Sequence, residues 1–269
     1  MTNKEEAYLF GPFIGELYWE CYRFAPYAIH LKKLNSDTKI IILTREDRFG
    51  LYGVYADICV PLRVKNEKGF HQKEFGLDGY KPEYYDTLKK YFYEKYKERF
   101  DIVDHFCPRI HGWHRKIKWQ FPRDEMDYDF QPKKKICEVA EEIIKPDDVI
   151  VDHEPVGYIN AGRHREINAT DLFKKVTVDV VIEALKRCEF VIGNTKYNVS
   201  RLALLLKKPL ISLNETKSDD KIHLLNPFET PVIKCKNIEE GVKIYENNFR
   251  PEESWSWKQR RIIHFNKIR

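Results

Sequence analysis

Two glycine turns hold the residues best suited to chemistry. The first, Gly11-Pro12-Phe13-Ile14-Gly15-Glu16, directly follows a short apolar run at 7–10. A carboxylate placed where a strand hands over to a helix can act as a general base, taking a proton from an incoming hydroxyl. The plain alternative is that Glu16 only favours the helix N-terminus. Glu20, one turn further on and on nearly the same face, offers a substitute base. The second turn is Gly193-Asn194-Thr195, followed by Asn198, Ser200 and Arg201. It ends an apolar run at 190–192 and opens a helix predicted over 200–206. Lys207-Lys208-Pro209 stops that helix, and another apolar run begins at 210. Strand, polar loop, helix and strand make one βαβ unit. Unpaired amides and the helix dipole at such a loop favour a phosphate. Hydroxyls of Thr195 or Ser200 and the charge of Lys196 or Arg201 would add to it. The Gly-Lys-Ser/Thr ending of a P-loop is absent, and a capped helix, with Asn198 or Ser200 as the cap, is the plain alternative.

Other groups could complete such sites. Arg163 and Arg165 flank His164 in a segment, 162–168, read as a loop, and two arginines there suit a diphosphate. His153 and Glu154 follow directly on a strand predicted over 149–151. Glu215, just past the strand at 210–213, could hold a ribose hydroxyl pair, with Asn226-Pro227-Phe228 beyond it. His105, Cys107, His111 and His114 are four metal-ligand types within ten residues. Their spacing matches no familiar zinc pattern, and no metal is expected. The stretch from Arg109 through Trp113, Arg115, Lys116, Lys118 and Trp119 interleaves cations with aromatics, as a nucleic-acid strand or an extruded base requires. Solvated loops and a basic surface strand are the alternatives for these segments.

The elements that must position these groups can be read from periodicity. Strands are predicted over 7–10, 39–43 and 58–60, with a helix over 17–34 and a short helix or loop over 45–55. This is the start of an open parallel sheet. A helix follows over 82–100, and residues 101–131 read as irregular. The second half has helices over 136–144, 179–188 and 238–247, and strands over 149–151, 190–192, 210–213 and 231–234. The tail at 252–263 reads as a final helix.

The chain has 269 residues, a net charge of +5 and 14% aromatic residues. Mild basicity fits a phosphate-rich partner. Six cysteines (Cys21, Cys59, Cys107, Cys137, Cys188, Cys235) show no paired spacing, and the opening Met-Thr-Asn-Lys-Glu-Glu has no signal-peptide pattern. The expectation is a cytoplasmic protein with reduced thiols and no integral membrane association.

Taken together, the residues resemble the GT-B glycosyltransferases, in particular their heptosyltransferase-like and phage-borne members. The likeness rests on Gly11 to Glu16, on Gly193-Asn194-Thr195, and on Ser200-Arg201-Leu202-Ala203 followed by Pro209-Leu210. Ser200-Arg201 departs from the commoner Ser/Gly-His pair. The resemblance implies an α/β fold of two Rossmann-like lobes with parallel sheets facing across a cleft, and a last helix crossing back. Residues 1–131 would bind the acceptor and 132–250 the nucleotide sugar, with 251–269 packing on the first lobe. Glu16 would be the base of an inverting displacement. Gly15, His153, Arg163, Arg165, Gly193, Asn194, Thr195, Asn198, Ser200, Arg201 and Glu215 would hold the donor, with a UDP-sugar favoured. The favoured acceptor is a hydroxymethylated base in phage DNA, held by the 109–119 segment. A surface glycan or lipid-linked saccharide is the alternative acceptor. A non-catalytic nucleotide or nucleic-acid binding protein on a degenerate scaffold is the alternative function, and a sugar-nucleotide epimerase shares the plan.

Overall fold

The structure, a computed structural model, describes residues 4–13, 17–62, 82–107, 125–132, 134–152, 161, 164–169, 176–195, 197–213 and 226–249. By internal contacts the chain divides into two compact units, Met1–Lys134 with Thr177–Asp179, and Lys135–Val176 with Val180–Arg269.

In the first unit, β1 (Glu5–Phe10) leads to α1 (Leu17–Trp19), a π-helical turn (Glu20–Phe24) and α2 (Ala25–Leu34), which run on without a break. β2 (Lys39–Thr44), a 3-10 segment (Glu46–Leu51), β3 (Ile58–Pro61), α3 (Pro82–Lys97) and β4 (Phe100–Phe106) follow. The four strands are all parallel, in the order β3-β2-β1-β4. One face, with Ala7, Leu9, Ile41 and Leu43, packs on Tyr85, Phe92 and Tyr96 of α3. On the other face Phe10 meets Phe24 and Tyr27.

β4 is the element the periodicity missed, since residues 101–131 read as irregular. Its register supplies the reason. Ala7 pairs with Ile102 but Tyr8 with Asp104, leaving Val103 as an extra residue on β4. Such a bulge breaks the period-two pattern by which a strand is read. Before it, Phe100 and Ile102 face α3. After it, Cys107 is in that core and His105 lies against Phe92 and Tyr93, while Phe106 turns to Phe10 and Tyr27.

The second unit contains α4 (Lys134–Ile143), β5 (Val149–Asp152), β6 (Glu166–Asn168), α5 (Val178–Arg187, the greater part), β7 (Val191–Gly193), α6 (Asn198–Leu205), β8 (Leu210–Leu213), β9 (Val232–Cys235) and α7 (Ile238–Asn248). Its five strands are also all parallel, in the order β6-β5-β7-β8-β9. Val149, Val151, Ile192, Ile211 and Ile233 pack with Val242 and Tyr245 of α7. The fold is therefore α/β with two parallel sheets, as the sequence indicates. β6 corrects the reading of 162–168 as a loop: residues 166–168 form a three-residue edge strand. None of the six cysteines forms a disulfide. No helix among the described residues is long and apolar enough to cross a membrane.

A buried polar cluster fixes the start of the first crossover. Glu20 is fully buried in the π-helical turn. Its carboxylate accepts from Thr44 Oγ1 (2.7 Å), Tyr52 OH (2.7 Å) and Arg48 (3.0 Å). Burial pushes its pKa up, opposed by the Arg48 charge and by the three hydrogen bonds. Glu20→Ala would remove the buried carboxylate to which Thr44, Arg48 and Tyr52 all donate. The expected loss is about 3–5 kcal/mol of first-unit stability, measured by urea unfolding.

Candidate functional site

Open parallel sheets take ligands at the carboxyl ends of their strands, where the strand order reverses. In the first sheet this point lies between β1 and β4, and in the second between β5 and β7.

In the second unit the paired strand ends are Asp152 and Gly193. The Asp152 carboxylate is buried and reaches the start of α6. There it accepts both the Ser200 backbone N–H (2.7 Å) and the Ser200 hydroxyl (2.8 Å). The N-cap residue is Tyr197, whose side chain makes no cap hydrogen bond. The cap is thus supplied by a neighbouring strand, and neither Asn198 nor Ser200 fills that role. Gly193 allows this approach: a Cβ there would lie 2.2 Å from Ser200 Oγ and 2.9 Å from the Asp152 carbonyl oxygen. In the loop, the Asn194 carbonyl accepts from the Tyr197 N–H at 2.9 Å, and the Thr195 carbonyl accepts from Arg201 Nε.

This changes the donor set expected from sequence. Ser200 is fully buried with its N–H and hydroxyl committed to Asp152, so a phosphate cannot take those two donors. Asn194 and Thr195 are also buried. Asn198 and Arg201 are half-buried, and Arg201 Nε already donates to the Thr195 carbonyl. Asp152 also puts a negative charge where an incoming anion would seek the helix dipole, which leaves Arg201 as the described cation of the loop. Asp152 was missed because a buried strand ending in Val-Ile-Val-Asp reads as core up to its last residue.

Arg165 is a correction. It precedes β6, and β6 runs parallel to β5, so Arg165 stands at the amino-terminal edge of the sheet, opposite Asp152. Its side chain pairs with Asp148, and its carbonyl accepts from the Val149 N–H at 3.0 Å. That pairing lowers the Asp148 pKa. His164 lies at the same edge, with Nδ1 3.0 Å from the Asp147 carbonyl and 3.3 Å from Glu189. Neither residue joins the 193–201 loop. Asn226 closes its own turn on Thr230 through its side-chain amide, 2.7 and 2.8 Å.

In the first unit the switch point holds Gly11, whose φ of +117° and lack of room suit no other residue: a Cβ would lie 2.2 Å from the Leu43 carbonyl oxygen. Gly11 N–H donates to the Phe106 carbonyl (2.8 Å), and Phe13 N–H to the Leu43 carbonyl (3.0 Å). The Gly11 carbonyl accepts from His105 Nε2 (2.7 Å) and from the Cys107 thiol (3.2 Å). Because a carbonyl only accepts, Nε2 carries the proton. His105 and Cys107 therefore act as hydrogen-bond donors to the backbone, and no cluster of three or more His, Cys, Asp or Glu suited to a metal occurs among the described residues. Glu20 is corrected too: buried and triply hydrogen-bonded, it is no substitute base. Gly15, Glu16, His153, Glu154, Arg163, Glu215 and the segment with Arg109, Trp113, Arg115, Lys116, Lys118 and Trp119 lie outside the described residues, as do His111 and His114.

No family model matches the chain, and no curated protein matches it at a significant level. Among solved structures it is similar to a glycosyl transferase family 9 protein from Veillonella parvula, with a TM-score of 0.48, 10% identity and 96% of each chain covered. It is also similar to the E. coli ADP-heptose LPS heptosyltransferase II, with a TM-score of 0.45, 10% identity, and 78% of this chain and 84% of that one covered. A third is the E. coli heptosyltransferase WaaC with ADP-2-deoxy-2-fluoro heptose, at a TM-score of 0.46 and 10% identity, covering 90% and 99%. Likenesses of this depth carry neither an activity nor a substrate to this chain.

The Asp152–Ser200 geometry makes a direct prediction. Gly193→Ala forces Ser200 or the Asp152 backbone to move, at an expected cost of about 1–3 kcal/mol. Asp152→Ala leaves two buried donors unpaired, with a loss of about 1–3 kcal/mol for each. Both losses are read as a lowered unfolding midpoint of the second unit.

Proposed function

We propose that the chain transfers a sugar from a nucleotide-diphosphate sugar to an acceptor hydroxyl. The observation that carries this reading is that each unit has an all-parallel sheet whose order reverses at a glycine-bearing strand end, Gly11 in one and Gly193 in the other. Two ligand edges of this kind in one chain suit a reaction with a donor and an acceptor.

In this reading the second unit takes the donor. Asn198 and Arg201, with backbone amides of the 193–195 loop, meet the diphosphate. His153, Arg163 and Glu215 complete that set by their sequence positions. Glu16 takes the proton from the acceptor hydroxyl, and the hydroxyl oxygen forms a bond to the anomeric carbon. The bond from that carbon to the diphosphate breaks, with inversion, and the diphosphate leaves with the electron pair. The Arg201 charge and the loop amides stabilise the departing anion. For the acceptor, the interleaved cations and aromatics of 109–119 and the net charge of +5 favour hydroxymethylated DNA, whose base would have to leave the stack. A saccharide acceptor is the other arm of the test.

The test is thermal stabilisation by a panel of nucleoside diphosphates and their sugars, UDP and ADP forms included, followed by transfer to hydroxymethylated DNA and to saccharides. A donor at a hundredfold excess over its Kd adds about 2.7 kcal/mol. Arg201→Ala is expected to weaken that donor about tenfold or more. Glu16→Gln should retain donor binding and lower turnover roughly a hundredfold or more. Stabilisation by DNA alone, with none by any nucleotide, would contradict transfer and leave a nucleic-acid binding protein.

A further inference from the structure

The first unit commits two polar side chains to one backbone oxygen. His105 Nε2–H and the Cys107 thiol both donate to the Gly11 carbonyl, and the Gly11 N–H donates to the Phe106 carbonyl. The polar backbone atoms of Gly11 are therefore held from three successive residues at the exit of β4. The Val103 bulge makes this possible. Without the extra residue, Asp104 and Phe106 would occupy the α3 face, and His105 and Cys107 would point away from it. The bulge is thus a device that re-aims two donors at one turn.

The donors are kept in donating form by their surroundings. The His105 ring sits against Phe92 and Tyr93 of α3, and burial lowers its pKa, so the neutral ring with Nε2–H is the form that binds. Burial pushes the Cys107 thiol up to about 12, so it keeps its proton. Two donors on one oxygen fix the direction of that carbonyl and the plane of the peptide that follows. Packing alone would not call for them, since an apolar pair would fill the same space. That peptide begins the turn leading in sequence to Glu16.

We infer that His105 is a positioning residue, which through the Gly11 carbonyl sets the glycine turn on the acceptor side of the transfer. The inference rests on the reading of the chain as a glycosyltransferase. Its action is on the turn, so it should change turnover without changing donor binding.

The test compares His105→Phe, which keeps an aromatic ring but loses the donor, with His105→Gln, whose amide can donate to the same carbonyl. His105→Asn, too short to reach it, replaces the first variant if that one does not fold. In the full-length protein, H105F should lower kcat about tenfold or more while leaving the donor KM and donor-induced thermal shift unchanged. H105Q should recover kcat to within about threefold of the native chain. Native turnover in H105F would overturn the inference. So would an H105Q as inactive as H105F, because that pattern marks the ring as a proton acceptor. A separate readout does not depend on transfer. Amide exchange at Gly11 and Phe13 should quicken about tenfold or more in H105F and stay native in H105Q. Unchanged exchange in H105F overturns the clamp itself, whereas a native chain that transfers no sugar, with the exchange difference intact, overturns only the glycosyltransferase reading.

Discussion

Parallel pairing obliges every strand of a sheet to begin at one edge and finish at the other. The placement of the candidate groups in this chain follows from that constraint. It gathers Gly11, Phe106 and Cys107 at one edge of the first sheet, and Asp152, Gly193 and the loop after it at one edge of the second. It also sends Asp148, His164 and Arg165 to the opposite edge, whatever their charge suggests. Nearness in sequence to a plausible ligand group counts for little against strand direction.

The second recurring feature is that buried polar groups at the strand ends are satisfied from within. Asp152 caps α6, Glu20 gathers Thr44, Arg48 and Tyr52, and the Gly11 carbonyl takes two side-chain donors. A buried donor left unpaired costs more than the net gain from one hydrogen bond. The fold therefore completes these ends with its own side chains. The consequence is chemical as well as structural. Ser200, which the sequence offers as a phosphate contact, and Glu20, which it offers as a base, are internal braces. Asn198 and Arg201, by contrast, are only half-buried.

Much of the architecture could be read from apolar runs. Ile40 to Leu43, Val149 to Val151 and Leu210 to Ser212 are buried on both sheet faces, and such runs need no alternation to be recognised. β4 escaped because its bulge at Val103 shifts the inward positions from even to odd numbers. β6 escaped because three residues, flanked by Arg165 and led by Glu166, carry no periodic signal. The loop at Gly193 was found because glycine and hydroxyls interrupt an apolar strand. The role of each residue in it was not legible, because the cap comes from Asp152, 48 positions away in sequence. Likewise, nothing local in Cys107 or His105 tells that both meet Gly11, 96 and 94 positions back.

On the proposed function, the switch point of the second sheet holds the nucleotide-diphosphate sugar. Amide hydrogen exchange of the full-length protein, with and without a stabilising nucleoside diphosphate sugar, tests it most directly. Exchange should slow in peptides spanning 193–205 and stay unchanged in the edge segment 164–168. Protection confined to the 164–168 edge, or absent from 193–205 while the ligand demonstrably binds, would contradict it.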